Sequence, residues 1–163
     1  YMEIPMIGRM NLVDYLDYMG DCMEAFKLPG IQRPARLREI HEEMERGSFL
    51  YAAAKRLSSP MEHFARVDMR VKSLVDLSRT ALAIERYRLA QGELPERLEE
   101  LVGEYLEAVP VDPFDGEAIK YRRTERGYLL YSVGMDGKDD GGKERRAKKQ
   151  PEETCDLTFI VTR

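Results

Sequence analysis

The chain of 163 residues contains no tryptophan, only two histidines and only two cysteines. Cys22 and Cys155 lie too far apart for the paired spacing of a zinc site, and they are too few for a disulfide framework. We favour free thiols over the alternative of one bridge between the two, because the geometry of a disulfide is demanding. We expect Cys22 to be buried in a helix as a small apolar side chain. With so few histidines and no G-x-S-x-G motif, the sequence lacks the usual residues of nucleophilic catalysis.

Long hydrophobic runs and strong net charge are also absent. No run of 18 apolar residues occurs, so the sequence predicts no membrane-spanning helix, and we expect any membrane anchor to precede Tyr1. The net charge is −4. The basic residues concentrate in one stretch, 143–149, without interleaved aromatic residues on which bases could stack. We therefore expect no nucleic-acid partner.

The first half of the chain has the apolar spacing of helices. A first helix covers the stretch from Met10 to Phe26 and ends at Pro29-Gly30. A second begins near Pro34 and ends at Gly47. A short third helix is predicted from Phe49 to Leu57.

A capping box with proline in the first helical position, Ser59-Pro60-Met61-Glu62, predicts the start of a long helix. Apolar residues keep the helical period from Met61 to Leu89, with Phe64 facing the core, until Gly92 ends the pattern. A helix of about 32 residues would be roughly 48 Å long.

After a proline-rich connector, the pattern becomes that of strands. Alternation predicts strands at 118–123, 128–133 and 157–162, the first two joined by a hairpin turn. The sequence therefore predicts an α+β fold, in which a helical amino-terminal half precedes one long helix packed on a small three-stranded antiparallel sheet. We expect a helical region at 1–58 and the long helix with its sheet at 59–163.

The segment "YSVGMDGKDDGG" follows the second strand with three aspartates and four glycines. A phosphate site is disfavoured because clustered carboxylates repel an anion. A hard cation such as calcium fits carboxylate and carbonyl oxygens better, but the EF-hand pattern fails at Lys138 and Ala147. The residues leave two interpretations open: a metal site of different geometry, or a solvated turn.

Three motifs in this order resemble the globular part of the type II secretion system major pseudopilins. They are "RLAQGELP", at the end of the long helix, "VPVDPFDG", before the hairpin, and "YSVGMDGKDDGG", after it. The resemblance covers residues 74–142 and the last strand. It implies a pseudopilin-like fold, a long helix on a small antiparallel sheet, and a calcium ion in the loop between the last strands.

The resemblance also implies the calcium ligands. They are a carboxylate of Asp136, a backbone carbonyl of Val133 and a carboxylate of Asp156 just before the final strand. The loop after Gly142 is longer and more basic than in the family, so Asp139 or Asp140 could take the place of Asp156.

The amino-terminal helices depart from the family, whose members carry an apolar membrane helix there. We therefore expect a non-enzymatic structural or assembly component of a bacterial envelope. It would be extracytoplasmic, with protein partners in a secretion or pilus-like assembly and a structural calcium ion. The alternative is a protein-interaction module without metal, using the helices as a partner or dimer face. The least favoured alternative is a metal-dependent hydrolase built on His41, Glu45 and His63.

Overall fold

The computed structural model describes residues 6–45, 60–143 and 156–162. The described residues divide into two compact units, the first ending at Val67 and the second beginning at Asp68. The helix predicted at 49–57, the domain boundary predicted at 58/59 and Cys155 all lie outside the described residues. None of the described helices is long and apolar enough to cross a membrane.

In the described residues, three α-helices precede the sheet: α1, Met6–Lys27; α2, Arg33–Glu45; and α3, Pro60–Gln91. Between α1 and α2 the chain makes a short 3-10 helix, Gly30–Gln32, at the predicted Pro-Gly break. The side chain of Arg33 fixes this corner, because its Nε donates a hydrogen bond of 2.7 Å to the carbonyl of Leu28.

The first unit has a core of its own, in which α1 and α2 pack together. Cys22 is buried in this core, as predicted, and the pKa of its thiol is raised by burial. The buried residues are Tyr18, Cys22, Ala25, Leu37, Ile40, Met44 and Ala65, the last from the start of α3.

In the second unit, three antiparallel strands form a sheet in the order β1-β2-β3: β1, Lys120–Thr124; β2, Gly127–Ser132; and β3, Leu157–Thr162. The middle strand β2 is buried along its whole length. A 3-10 helix, Leu98–Leu101, lies between α3 and β1. The predicted α+β architecture is confirmed.

The long helix α3 packs on one face of this sheet. Leu77, Ala81 and Ile84 belong to one buried cluster with Tyr128 and Leu130 of β2. The hydroxyl of Tyr128 also lies 3.4 Å from the carbonyl oxygen of Ala81, to which it donates. Because the strand alternates, the neighbouring side chains of β2 point to the opposite face.

The buried face of α3 differs from the apolar stripe that the sequence predicts. Phe64, expected in the core, is 54% exposed, and Leu82 is 67% exposed. Small residues take buried positions instead, since they let the helix approach its neighbours closely. Apolar side chains lie on more than one side of α3, so periodicity alone could not select the buried side. The buried positions in the second unit include Met69, Ser73, Leu77, Thr80, Ala81, Ala83 and Ile84.

Candidate functional site

The candidate site is the loop that leaves β2, which we call the aspartate loop (residues 134–142), together with Asp156 at the start of β3. The start of the loop, at Val133, is held in place by a hydrogen bond to Asp112. The backbone N–H of Val133 donates a hydrogen bond of 2.9 Å to Oδ2 of Asp112, and the N–H of Phe114 donates one of 3.0 Å to Oδ1. Asp112 is completely buried, and burial raises the pKa of its carboxyl group. This carboxylate therefore ties the connector before β1 to the exit of β2.

The first half of the aspartate loop is a turn. The N–H of Gly137 donates to the carbonyl of Gly134 at 3.2 Å, and the N–H of Lys138 donates to Oδ1 of Asp136 at 3.2 Å. Both glycines have positive φ, which glycine adopts without steric cost. The side chain of Asp136 caps this turn and is exposed.

The second half of the loop folds onto the sheet, on the face opposite α3. The hydroxyl of Tyr131 donates a hydrogen bond of 3.0 Å to Oδ1 of Asp139, which also accepts the N–H of Gly141 at 2.8 Å. Burial and the neighbouring Asp139 carboxylate raise the pKa of Tyr131 to about 12. Gly142 lies directly against Leu129 and Tyr131, since a Cβ there would be 2.5 Å from Cδ2 of Leu129.

Asp156 closes the loop at the entry to β3. Its side chain is buried, at 5% exposure, and its Oδ2 accepts the N–H of Gly142 at 2.7 Å. Its Oδ1 is also buried, and none of the described residues donates a hydrogen bond to it. Burial raises the pKa of Asp156, the backbone N–H groups of Gly142 and Asp140 partly offset this rise, and the carboxylates of Asp140 and Asp139 add to it. A buried carboxylate oxygen beside two like charges is an unfavourable arrangement unless a cation offsets it.

The predicted calcium ligands are therefore only partly brought together. Asp139, Asp140 and Asp156 are close enough to interact electrostatically. Asp136 caps the turn in the other half of the loop. Val133 is buried at the loop entry, where its N–H is held by Asp112.

The donor set fits a hard cation, which prefers oxygen ligands and several carboxylates. Within residues 6–45, 60–143 and 156–162, no three His, Cys, Asp or Glu side chains already meet as a metal-binding group. The feature that fits the ion is the unpartnered Oδ1 of Asp156. Asp112, which sequence reasoning missed, anchors the loop entry rather than the acidic cluster.

The two histidines of the least favoured alternative, a metal-dependent hydrolase, lie on different helices. His41 is half-buried on α2, and His63 is exposed on α3 with its ring centroid 6.4 Å from that of Phe64. Neither histidine joins a group of three potential metal ligands there. Glu45 is the last described residue of α2.

No protein-family model matches the chain, and no curated protein matches it.

Proposed function

We propose that the chain is a non-enzymatic structural or assembly component of a bacterial envelope, with a pseudopilin-like second unit whose aspartate loop is held by calcium. The observation that carries the calcium proposal is that Oδ1 of Asp156 is buried and accepts no hydrogen bond within the described part of the chain, while the carboxylates of Asp139 and Asp140 lie near it. The resemblance of three ordered motifs to type II secretion pseudopilins supports the assembly role. A long helix packed on a small antiparallel sheet is consistent with it.

Asp156 and Asp139 are the residues that would hold the ion, with Asp140 beside them. When bound, calcium would supply positive charge and further coordination bonds to oxygens that the chain itself leaves incompletely satisfied. Asp136 is the predicted ligand that the geometry supports least, because its carboxylate is exposed in the loop's first turn and is not among the charged groups that act on Asp156.

The chain's own contacts explain why fixing the loop would matter. The loop covers Leu129 and Tyr131 on the sheet face opposite α3, and it joins the exit of β2 to the entry of β3 through the Gly142–Asp156 hydrogen bond. Repulsion among its carboxylates opposes that closed arrangement. A cation would thus stabilise one sheet face, which is a structural role and requires no turnover of a substrate.

Thermal unfolding in calcium and in EDTA tests the proposal. At a free calcium concentration 100 times the Kd, binding to the folded state alone adds about 2.7 kcal/mol. For a chain of this size that is a Tm increase of roughly 5–10 °C. Asp156→Asn keeps an oxygen for the Gly142 N–H but removes the charge, so it should abolish the increase.

Asp76→Asn, a change of the same type on α3 away from the loop, is the matched control and should retain the full increase. An identical Tm in calcium and EDTA for the unmodified protein would remove calcium from the account. A Tm increase with zinc but not calcium would favour the hydrolase alternative.

The interaction module without metal is supported by a different observation. Three apolar residues of α1, Val13, Leu16 and Met23, are 56%, 59% and 62% exposed. Such side chains favour contact with another protein surface. Sedimentation velocity tests the dimer form: a Leu16→Glu change should dissociate a dimer that uses this face, and a monomer at all concentrations would argue against it.

A further inference from the structure

The second unit contains a groove of about 790 Å³ between α3 and the segment 105–111. It lies apart from the aspartate loop, and none of its lining residues belongs to that loop. Its floor and rim combine apolar side chains with a row of cations. This combination favours a partner that carries both apolar side chains and negative charges.

The cations come from one side of α3. Lys72, Arg79 and Arg86 line the groove at intervals of seven residues, so successive charges are about 10.5 Å apart along the helix. Neither Lys72 nor Arg79 forms an ion pair within the described ranges of the chain. The guanidinium of Arg86 lies over the ring of Tyr105, 5.6 Å from its centroid, which holds it at the groove.

Two large apolar side chains in the groove are exposed. Leu82, on α3 between the second and third cations, is 67% exposed, and Val111 at the end of the opposite wall is 55% exposed. Exposed apolar residues rimmed by charges are typical of a surface that another protein covers. The apolar residues supply the contact area, and the cations select the sign of the partner's charge.

We propose that this groove binds an acidic amphipathic helix of a partner protein. A helix lying along α3 repeats one face every seven residues, so acidic residues at i, i+7 and i+14 would match Lys72, Arg79 and Arg86. Apolar residues between them would cover Leu82 and Val111. Asp76 and Glu107 also line the groove, so its charges are of both signs. A partner helix can place separate acidic side chains at the three cations, with uncharged or basic residues opposite these two carboxylates. A nucleic acid is disfavoured because its phosphate charges are continuous and some would lie against Asp76 and Glu107.

This inference specifies the kind of partner that the proposed assembly role would involve, and it rests on that proposed function. Its test is independent of calcium, since binding is measured in EDTA as well as in calcium chloride. Failure of the calcium site would leave peptide binding unchanged. If the peptide binds in neither buffer, the proposal that the groove binds a helix is overturned, and the calcium proposal is unaffected.

The probe is a synthetic fluorescein-labelled 21-residue helical peptide with glutamate at i, i+7 and i+14 and leucine on the same face. Fluorescence anisotropy should show saturable binding that weakens with added salt. Reversing two cations, Arg79→Glu with Arg86→Glu, should weaken binding by about tenfold or more, because two attractive pairs become repulsive. A peptide with lysine in place of the three glutamates should bind that variant better than it binds the unmodified protein.

The matched control is Arg123→Glu with Arg126→Glu, which changes the charge equally on the exposed β1–β2 hairpin and should leave the affinity unchanged. Circular dichroism confirms that both variants fold. Equal binding by the two double variants, equal binding of a scrambled peptide, or no binding at all would overturn the proposal. A dimer in sedimentation that Arg79→Glu with Arg86→Glu dissociates would assign the groove to a second copy and also overturn it.

Discussion

Gly142 provides the sharpest test of how the aspartate loop packs on the sheet. Its backbone has φ of +74°, and an added Cβ would lie 2.5 Å from Cδ2 of Leu129 and 3.1 Å from Cδ1 of Tyr131. Leu129 is only 5% exposed, so its side chain has little room to move away. Gly142→Ala should therefore force the loop off the sheet or displace a buried side chain.

The expected cost has three parts. The left-handed conformation costs alanine about 1 kcal/mol, and overpacking against Leu129 costs about 1–2 kcal/mol. The lower entropy of the unfolded chain returns about 0.5 kcal/mol. Gly142→Ala should thus lower the free energy of unfolding by about 2 kcal/mol, or Tm by roughly 4–8 °C.

Gly141 is the matched control, because its φ is +75° but nothing lies within 4 Å of a Cβ built there. Gly141→Ala should cost only about 0.5 kcal/mol, the left-handed penalty less the entropy return. Urea unfolding of both variants in EDTA measures the difference. Equal costs for the two variants would refute the packing of the loop on Leu129 and Tyr131.

Three further predictions concern the scaffold around the loop. Gly127→Ala should destabilise by about 3 kcal/mol or more in urea unfolding, because its Cβ would overlap the backbone carbonyl of Val161 across the β2–β3 pairing. Asp112→Ala should cost about 3 kcal/mol by the same assay, because it leaves the buried N–H groups of Phe114 and Val133 without acceptors. Burial raises the pKa of Asp112 in the folded state above its ordinary value of 3.8. As the pH falls, the Asp112 carboxylate is therefore protonated in the folded protein at a higher pH than in the unfolded chain. Compared with Asp112→Asn, the unmodified protein should therefore gain stability as the pH falls through that raised pKa towards 3.8 in a series of urea titrations.

Each of these has a result that would contradict it. A Gly127→Ala variant as stable as the unmodified chain would mean that β3 does not approach β2 so closely. Asp115→Ala is the control, because it removes a carboxylate from the half-buried turn beside Asp112. Asp112→Ala should lower the free energy of unfolding more than Asp115→Ala does. The reverse order would show that Asp112 does not anchor the exit of β2. A stability difference between Asp112 and its asparagine variant that does not change with pH would contradict the burial of an ionised carboxylate.

The regular elements could be predicted because their signals are local. The Pro60 start and Gly92 stop predict α3 closely, and its observed span is Pro60–Gln91, 32 residues. The alternation and the short turn likewise predict the β1–β2 hairpin, observed as Lys120–Thr124 paired with Gly127–Ser132. In each case the chemistry that determines the structure lies within a few residues.

The contacts that define the site could not be predicted, since they join residues distant in sequence. Asp112 looks like an ordinary turn residue in "DPFDG", and only the folded chain places its carboxylate on the N–H of Val133, 21 positions away. Similarly, the sequence alone suggests that Gly142 is an ordinary loop glycine, and only the structure shows that it packs directly against Leu129. A glycine required by a close contact and one that serves only a turn give the same sequence signal.

The central claim is that the buried Oδ1 of Asp156, which accepts no hydrogen bond from the described residues, marks a calcium site. Isothermal titration calorimetry of calcium chloride into protein freed of metal by EDTA tests it most directly. We predict one calcium ion per chain for the unmodified protein and no measurable binding for Asp156→Asn. Equal binding by the two proteins, or no binding by either, would contradict the claim.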